Sequence, residues 1–422
     1  MSKKELNKKS KTTVKENIAL ITVDRRTRAE RKSDGKGMRL AVPLSSHAEW
    51  TASENRRYRG AAAIMAQDLS TLPRTGVHVQ ACGDCHLLNF GIFATPERRL
   101  IFAINDFDET LPAPWEWDVK RLATSFVIAS QNNDFSDQDA RKIAQTCVRS
   151  YREHLRNFAK MRSVDVWYFS IDAKKLVEHL SDDKIKRQAK KRIEQAKKRD
   201  VLNDDFPKLA TFEKGDYRIR DNPPLIFHIQ EGDEESLIHE QAFKRYRDTL
   251  SADKHSLLDH YKFKDLAIKV VGVGSVGTRC AIALFMDGAD DPLFLQVKEA
   301  RTSVLEPYVG QSVYKNHGQR VVMGQRLMLS ATDIFLGWVE NDVGNHFYIR
   351  QLRDMKIKLS VELFSADVMN EYAEICGLAL AHAHARSGDA AKIAGYLGKK
   401  SEFDDALVSF AERYAAQNEQ DY

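Results

Sequence analysis

The hydrophobic positions along the chain follow two spacings, and each predicts a different kind of secondary structure. Short runs rich in apolar and β-branched residues at 77–81, 100–104 and 293–297 have the length of buried strands. Apolar residues three or four positions apart predict helices with one buried face. One such stripe consists of Ile143, Cys147, Tyr151, Leu155 and Phe158. The patterns therefore predict an α+β protein.

The same patterns predict the elements of the C-terminal part. Strands are expected at residues 333–339 and 347–352, separated by a turn-rich segment. Ser365 is a potential N-cap for a long helix that ends near Gly388. Residues 184–199 are highly charged and predict a helix with a solvated face.

The composition argues against several classes of protein. The formal net charge of the 422 residues is +5, a mild excess that does not indicate a nucleic-acid partner. No apolar run approaches the roughly 18 residues of a membrane span, and the first residues lack the apolar centre of a secretory signal. Five scattered cysteines do not suggest a disulfide framework. We expect a cytoplasmic protein without a membrane span, and the sequence leaves its oligomeric state open.

Residues 80–116 hold the first candidate chemistry. Asp84, Asn89 and Asp106 fall within one predicted strand-loop-strand segment, and Asp108 follows closely. Carboxylate and amide oxygens are the ligands that Mg²⁺ prefers, and loops after strands hold such groups in fixed positions. The segment therefore predicts a divalent-cation site of the kind that binds phosphates.

A glycine-rich segment offers two interpretations. A GxGxxG motif in a dinucleotide-binding fold opens a helix, but β-branched and apolar residues follow this one, so a hairpin is the favoured interpretation. A glycine hairpin followed by a strand that carries a lysine, here Lys298, is typical of a kinase nucleotide lobe. Glu306 is a candidate partner for Lys298, with Glu299 as its rival. The nucleotide-binding positions of the segment are Gly272, Gly274, Ser275 and Gly277.

Two motifs resemble those of a known group of enzymes. CGDCHLLN at residues 82–89 resembles the HGDxHxxN catalytic loop of aminoglycoside and choline phosphotransferases, which have a protein-kinase-like fold, although Cys82 replaces the usual first His. INDFD at residues 104–108 resembles the metal-binding Asp motif of that group. The resemblance implies that Asp84 is the catalytic carboxylate and that Asn89 and Asp106 bind metal. It also implies a supporting role for Asp118.

The order of the motifs departs from that of kinases. In kinases the glycine hairpin and the lysine precede the catalytic loop, whereas here they follow it. A circular permutation accounts for this order. The resemblance then implies a two-lobed fold with a mostly helical larger lobe and a small antiparallel β nucleotide lobe.

Long blocks such as YRGAA, NDFDETLPAPWEWDVKRLA and AHARSGD are also similar to the bacterial domain-of-unknown-function 2252 family, over nearly the whole chain. Combined with the permuted fold, the resemblance implies five segments. These are a basic, mobile arm (1–40), the catalytic-loop part of the larger lobe (41–164), a charged helical and β insertion (165–264), the nucleotide-binding lobe (265–356) and the helices that complete the larger lobe (357–422).

The phosphotransferase resemblance implies an enzyme that uses ATP and Mg²⁺ to phosphorylate an unknown hydroxyl acceptor, either a small molecule or a protein. Two alternatives remain open. The first is a nucleotide-binding protein that transfers the adenylyl group or lacks catalysis. The second is an NAD(P)-dependent oxidoreductase that uses GVGSVG.

A CxxCH string at Cys82, Cys85 and His86 matches the haem c attachment pattern and also supplies potential zinc ligands. The absence of an export signal argues against haem. The absence of a second cysteine pair argues against zinc.

Overall fold

The computed structural model describes residues 21, 23–50, 61–198, 206–213, 215–229, 240–270, 278–352, 357 and 359–421. Helices and antiparallel strands alternate along these residues. Within these ranges, no helix has both the length and the apolar composition that crossing a membrane requires.

The structure contains strands and helices in the order that follows. The strands are β1 (His78–Ala81), β2 (Phe90–Ala94), β3 (Leu100–Ile104), β4 (Leu111–Pro114), β5 (Ile171–Asp172), β6 (Ala210–Glu213), β7 (Asp216–Ile219), β8 (Ile226–Phe227), β9 (Lys262–Lys269), β10 (Cys280–Met286), β11 (Pro292–Glu299), β12 (Gly337–Glu340) and β13 (His346–Gln351). The α-helices are α1 (Arg28–Gly37), α2 (Ala61–Ser70), α3 (Trp115–Asn132), α4 (Asp137–Phe158), α5 (Ser163–Tyr168), α6 (Ala173–His179), α7 (Asp183–Lys198), α8 (Phe206–Leu209), α9 (Glu240–Arg247), α10 (Ala252–Leu258), α11 (Glu306–Val309), α12 (His317–Met328), α13 (Ala366–Ser387), α14 (Ala390–Leu397) and α15 (Glu402–Asp421).

The largest sheet has six antiparallel strands in the order β12-β13-β11-β10-β9-β8. Its central strands are almost fully buried, and they carry few polar residues. Lys298 of β11 lies directly opposite Tyr348 of β13 in the strand register. Residues opposite each other in a sheet project from the same face, so these two side chains emerge together.

The helical part is built around α13, which packs along α4, while α3 packs against α4 and α15. The predicted apolar stripe of α4 is fully buried in this core, as its spacing requires. Two small sheets, β1-β4 and β2-β3-β5, lie on the helical core and hold the loops of the candidate site. Helix α12 contacts both α13 and the six-stranded sheet, and so joins the two parts.

Several predicted elements are confirmed. The run 100–104 is β3, and 293–297 lies within β11. Ser365 caps α13 by accepting a hydrogen bond from the Val368 amide, and the helix ends before Gly388. The strand expected at 333–339 begins only at residue 337, because Asp333 instead accepts hydrogen bonds from the amides of Phe335 and Gln351 and fixes a turn.

Two of the expected segment boundaries are corrected by the structure. The arm expected at 1–40 is folded from residue 28, because α1 packs closely on α14, where only the hydrogen of Gly35 fits against the backbone at Lys392 and Tyr396. Residues 1–20 and 22 lie outside the described residues. The boundary at 264 is also wrong, since β9 begins at residue 262 and β8, further upstream, joins the same sheet.

Candidate functional site

The candidate loop starts at β1 and turns sharply at Gly83. The φ of Gly83 is 86°, and a Cβ at this position would overlap the backbone of Glu109. Only glycine accepts both conditions without strain. The turn directs Asp84 out of the core, and its carboxylate remains partly exposed. The Asn89 side-chain amide donates a hydrogen bond to the Asp84 carbonyl at 2.6 Å, so the same loop positions both predicted residues.

Asp118 supports this loop by hydrogen bonds to its backbone. Its carboxylate accepts hydrogen bonds from the Cys82 amide at 2.7 Å and the Gly83 amide at 3.0 Å. Nε2 of His384 lies 3.1 Å from the same carboxylate, and the other ring nitrogen of His384 lies 2.9 Å from the Tyr151 hydroxyl. All of these side chains are buried. The Asp118 carboxylate therefore fixes the backbone on which Asp84 stands.

Arg121 is the direct partner of the Asp84 carboxylate. It lies one turn after Asp118 on α3, and its Nε donates to Asp84 Oδ1 at 2.6 Å. Nε2 of His86 lies 3.7 Å from the other oxygen of Asp84. A cationic group thus meets the carboxylate predicted to act on the acceptor. The motif comparison did not identify Arg121, although it is part of the quoted block WDVKRLA.

The second acidic loop follows β3 and meets the lysine of the six-stranded sheet. Lys298 Nζ donates to Asp108 Oδ2 at 2.6 Å and lies 3.7 Å from Asp106 Oδ2. The Tyr348 hydroxyl donates to the other oxygen of Asp108 at 2.7 Å. The backbone amide of Asn105 donates to the carbonyl of Asn89 at 2.8 Å, which joins this loop to the first one. The structure therefore brings Lys298 to the two acidic residues across almost 200 positions of sequence.

The charged groups of this cluster shift one another's pKa values. Burial, and secondly the carboxylate of Asp106, raise the pKa of Asp108, while Lys298 and Tyr348 oppose that rise. Burial alone lowers the pKa of Lys298, but the neighbouring Tyr348, Asp106 and Asp108 outweigh it and raise the pKa well above its usual value. Lys298 is therefore positively charged at neutral pH, and its ammonium group lies against the acidic loop.

The expected pairing of Lys298 with Glu306 is wrong. Glu306 begins the short helix α11, and its nearest basic group is His317, at 3.9 Å. The rival, Glu299, is also excluded as the partner, because it binds Arg279 and Arg301. Adjacent residues of a strand point to opposite faces, so Glu299 faces away from Lys298.

Buried Arg320 of α12 supports the acidic loop from behind. Its guanidinium donates to the carbonyls of Thr110, Asp108 and Arg301 at 2.7 to 2.8 Å. The motifs did not reveal this residue, because its partners are backbone atoms, which leave no trace in side-chain identity. His384 and Tyr348 were also missed, although both lie in quoted or predicted blocks.

The predicted nucleotide-binding residues Gly272, Gly274, Ser275 and Gly277 lie outside the described residues. The elements on either side are described, and they are the antiparallel neighbours β9 and β10. The chain therefore continues into a strand, as the hairpin interpretation expects, whereas a dinucleotide-binding motif continues into a helix.

The donor set that remains around the acidic loop consists of oxygen atoms. Among the described residues there is no group of three or more His, Cys, Asp or Glu side chains placed to hold a metal ion. Mg²⁺ sites commonly contain one or two carboxylates and complete the coordination with water and substrate phosphates. Asn89 and Asp106 supply oxygen donors of this type, whereas both carboxylate oxygens of Asp108 accept hydrogen bonds from Lys298 and Tyr348.

Comparisons with known proteins give one result. No curated protein and no solved structure matches the chain. A family model described as "Uncharacterized protein conserved in bacteria (DUF2252)" matches residues 47–422, which includes every residue of the site described above. The chain therefore belongs to the DUF2252 family of bacterial proteins.

Proposed function

We propose that the protein transfers a phosphoryl group from Mg-ATP to a hydroxyl acceptor. The observation that carries the proposal is the contact of Lys298 with Asp106 and Asp108, beside the loop of Asp84 and Asn89. Phosphoryl transfer requires such a set, because its catalysis depends on positioning and on neutralising phosphate charge.

The strand order supports a permuted kinase-like arrangement. In kinases the glycine loop covers the phosphates, and a lysine on the third strand contacts them. Here the glycine-rich segment joins β9 to β10, and the next strand, β11, carries Lys298. Three further strands, β8, β12 and β13, complete the same sheet.

The residues of the candidate site have separate roles in this proposal. Asp84 orients the acceptor hydroxyl and takes its proton, while Arg121 keeps the carboxylate in position. Asn89 uses its amide N–H₂ to bind the Asp84 carbonyl, which leaves its amide oxygen free to point elsewhere; that oxygen and the Asp106 carboxylate would hold the cation. Bound Mg²⁺ supplies charge neutralisation at the phosphates. Asp108 positions Lys298, which contacts the phosphates.

The resemblance to kinases has one departure in the structure. A kinase lysine pairs with a glutamate of the helix that follows it. The first helix after β11 is α11, whose Glu306 lies beside His317, and α12 carries neither Asp nor Glu; the partner acid of Lys298 is Asp108 of the acidic loop. Lys298 and the acidic loop are thereby joined by a direct ion pair. Transfer of the adenylyl group, or nucleotide binding without transfer, would use the same residues. Experiment distinguishes both from transfer of the γ-phosphoryl group.

The test compares ATP binding and turnover in wild type, Asp106→Ala and Lys298→Met. We expect Mg-ATP to raise the melting temperature of wild type, and turnover to fall on the order of 10²-fold or more in both variants. Asp248→Ala and Lys262→Met, at exposed positions, are the matched controls. ATP labelled on the γ- or the α-phosphate distinguishes phosphoryl from adenylyl transfer. Unchanged binding and turnover in both site variants would remove the proposal, and stabilisation by NAD(P) alone would favour the oxidoreductase.

A further inference from the structure

An apolar cavity of about 100 Å³ lies between the small sheet β2-β3-β5 and the helices α6, α7 and α13. Its floor is formed by β2, β3 and α13, through Ile92, Phe102 and Tyr372. Its roof is formed by α6 and α7, through Leu176 and Ala189. None of the residues of the candidate site lines it, and the cavity is therefore separate from that site.

The chemistry of the lining defines what the cavity accepts. Its walls are almost entirely aliphatic or aromatic, and the polar side chains of Gln188 and Arg192 stand at exposed positions of α7, one turn apart. Such a lining suits a small hydrocarbon group, because water finds few polar partners there. Charged α7 therefore has a clear reason to carry an apolar stripe: Ala189 and Ile193 close the cavity.

Tyr372 links the cavity to the candidate loop. The ring of Tyr372 forms part of the wall, while its hydroxyl donates to the carbonyl of Leu87 at 2.7 Å. Leu87 lies between Asp84 and Asn89 in sequence, and its own amide donates to the Ser125 hydroxyl at 3.0 Å. A group that fills the cavity packs against the side chain that anchors the middle of this loop.

We propose that this cavity binds the apolar part of a small molecule, a short alkyl chain or a single aromatic ring, whose polar end emerges beside Gln188 and Arg192. Binding restricts Tyr372 and so stabilises the loop through Leu87. The proposal does not depend on ATP or on the phosphotransferase activity, because the cavity and its contact with the loop are defined without them.

The test uses n-alkanols from butanol to octanol and toluene as probes, measured by ligand-observed NMR on the full chain without nucleotide. Ala189→Phe places a ring inside the cavity, and we expect it to weaken binding about tenfold or more. Lys190→Phe adds the same ring at a neighbouring exposed position and is expected to bind like wild type. Absence of probe binding in wild type, or equal binding in Ala189→Phe, would overturn the proposal.

A second variant keeps the test decisive if Ala189→Phe does not fold. Leu176→Ala enlarges the cavity, so it is expected to shift the preferred alkanol to a longer chain, and an unchanged preference counts against the cavity. Hydrogen exchange of the peptide that contains residues 85–90 reports the link to the loop. We expect bound alkanol to slow this exchange in wild type and not in Tyr372→Phe. Equal exchange with and without alkanol in wild type would refute the link.

Discussion

Replacing Asp118 by alanine tests the support of the candidate loop. The substitution removes the acceptor of two backbone amides, Cys82 and Gly83, and the partner of His384, in a region closed to water. A buried donor left without an acceptor costs about 1–3 kcal/mol, so the two amides together predict a loss of about 2–6 kcal/mol in the free energy of unfolding.

Urea unfolding followed by tryptophan fluorescence measures this loss, since buried Trp115 and Trp117 begin the same helix, α3. Asp118→Asn retains one acceptor oxygen, and we expect it to lose less than the alanine variant. Asp248→Ala removes an exposed carboxylate and is expected to stay within about 0.5 kcal/mol of wild type. If Asp118→Ala also stayed within that range, the carboxylate would not be what holds the loop.

The remaining predictions concern stability and the turn of the loop. Arg152→Ala is expected to cost about 3–5 kcal/mol, because it leaves the fully buried carboxylate of Asp404 unpaired, and thermal unfolding should show partial recovery in the double variant Arg152→Leu/Asp404→Leu. Burial lowers the pKa of His382 to about 4, so between pH 4 and 6.5 the unfolded chain binds more protons than the folded one, and the free energy of unfolding falls as the pH drops through that window. His382→Gln should flatten this pH dependence when unfolding is measured across the window. An unchanged slope would contradict the assignment to His382. Gly83→Ala should impair both folding and ATP turnover, since the Cβ would meet the Glu109 backbone at a positive φ; a fully active, equally stable variant would refute the turn geometry.

The sequence was sufficient where a signal is local. The apolar run of β3 and the Ser365 cap of α13 follow from neighbouring residues, and both are confirmed. The two acidic loops were also identified, because short motifs encode them. Local signals do not encode which acid meets Lys298, since strand register and the tilt of the sheet decide it. Glu306 was chosen for its place in the sequence, and three-dimensional packing selects Asp108 instead.

Tertiary packing also explains the two misplaced boundaries. Residues 28–37 are poor in apolar side chains, so composition alone indicated a mobile arm. Their helix is held by backbone proximity to α14 and by the ion pair of Arg31 with Asp389 at 2.8 Å. Neither partner is near in sequence. The strand character of residues 217–229 is visible in the sequence, but the pairing of β8 with β9 joins segments far apart in the chain, and no local pattern encodes it.

Arg320 has a mechanical consequence for the cleft. Its guanidinium donates at the same time to the carbonyl of Arg301, two residues after the end of β11, and to the carbonyls of Asp108 and Thr110 of the acidic loop. Pulling these segments apart would break several buried hydrogen bonds at once. The position of Lys298 relative to Asp108 is therefore fixed twice, by their own ion pair and by the cross-link that Arg320 makes between the two backbones.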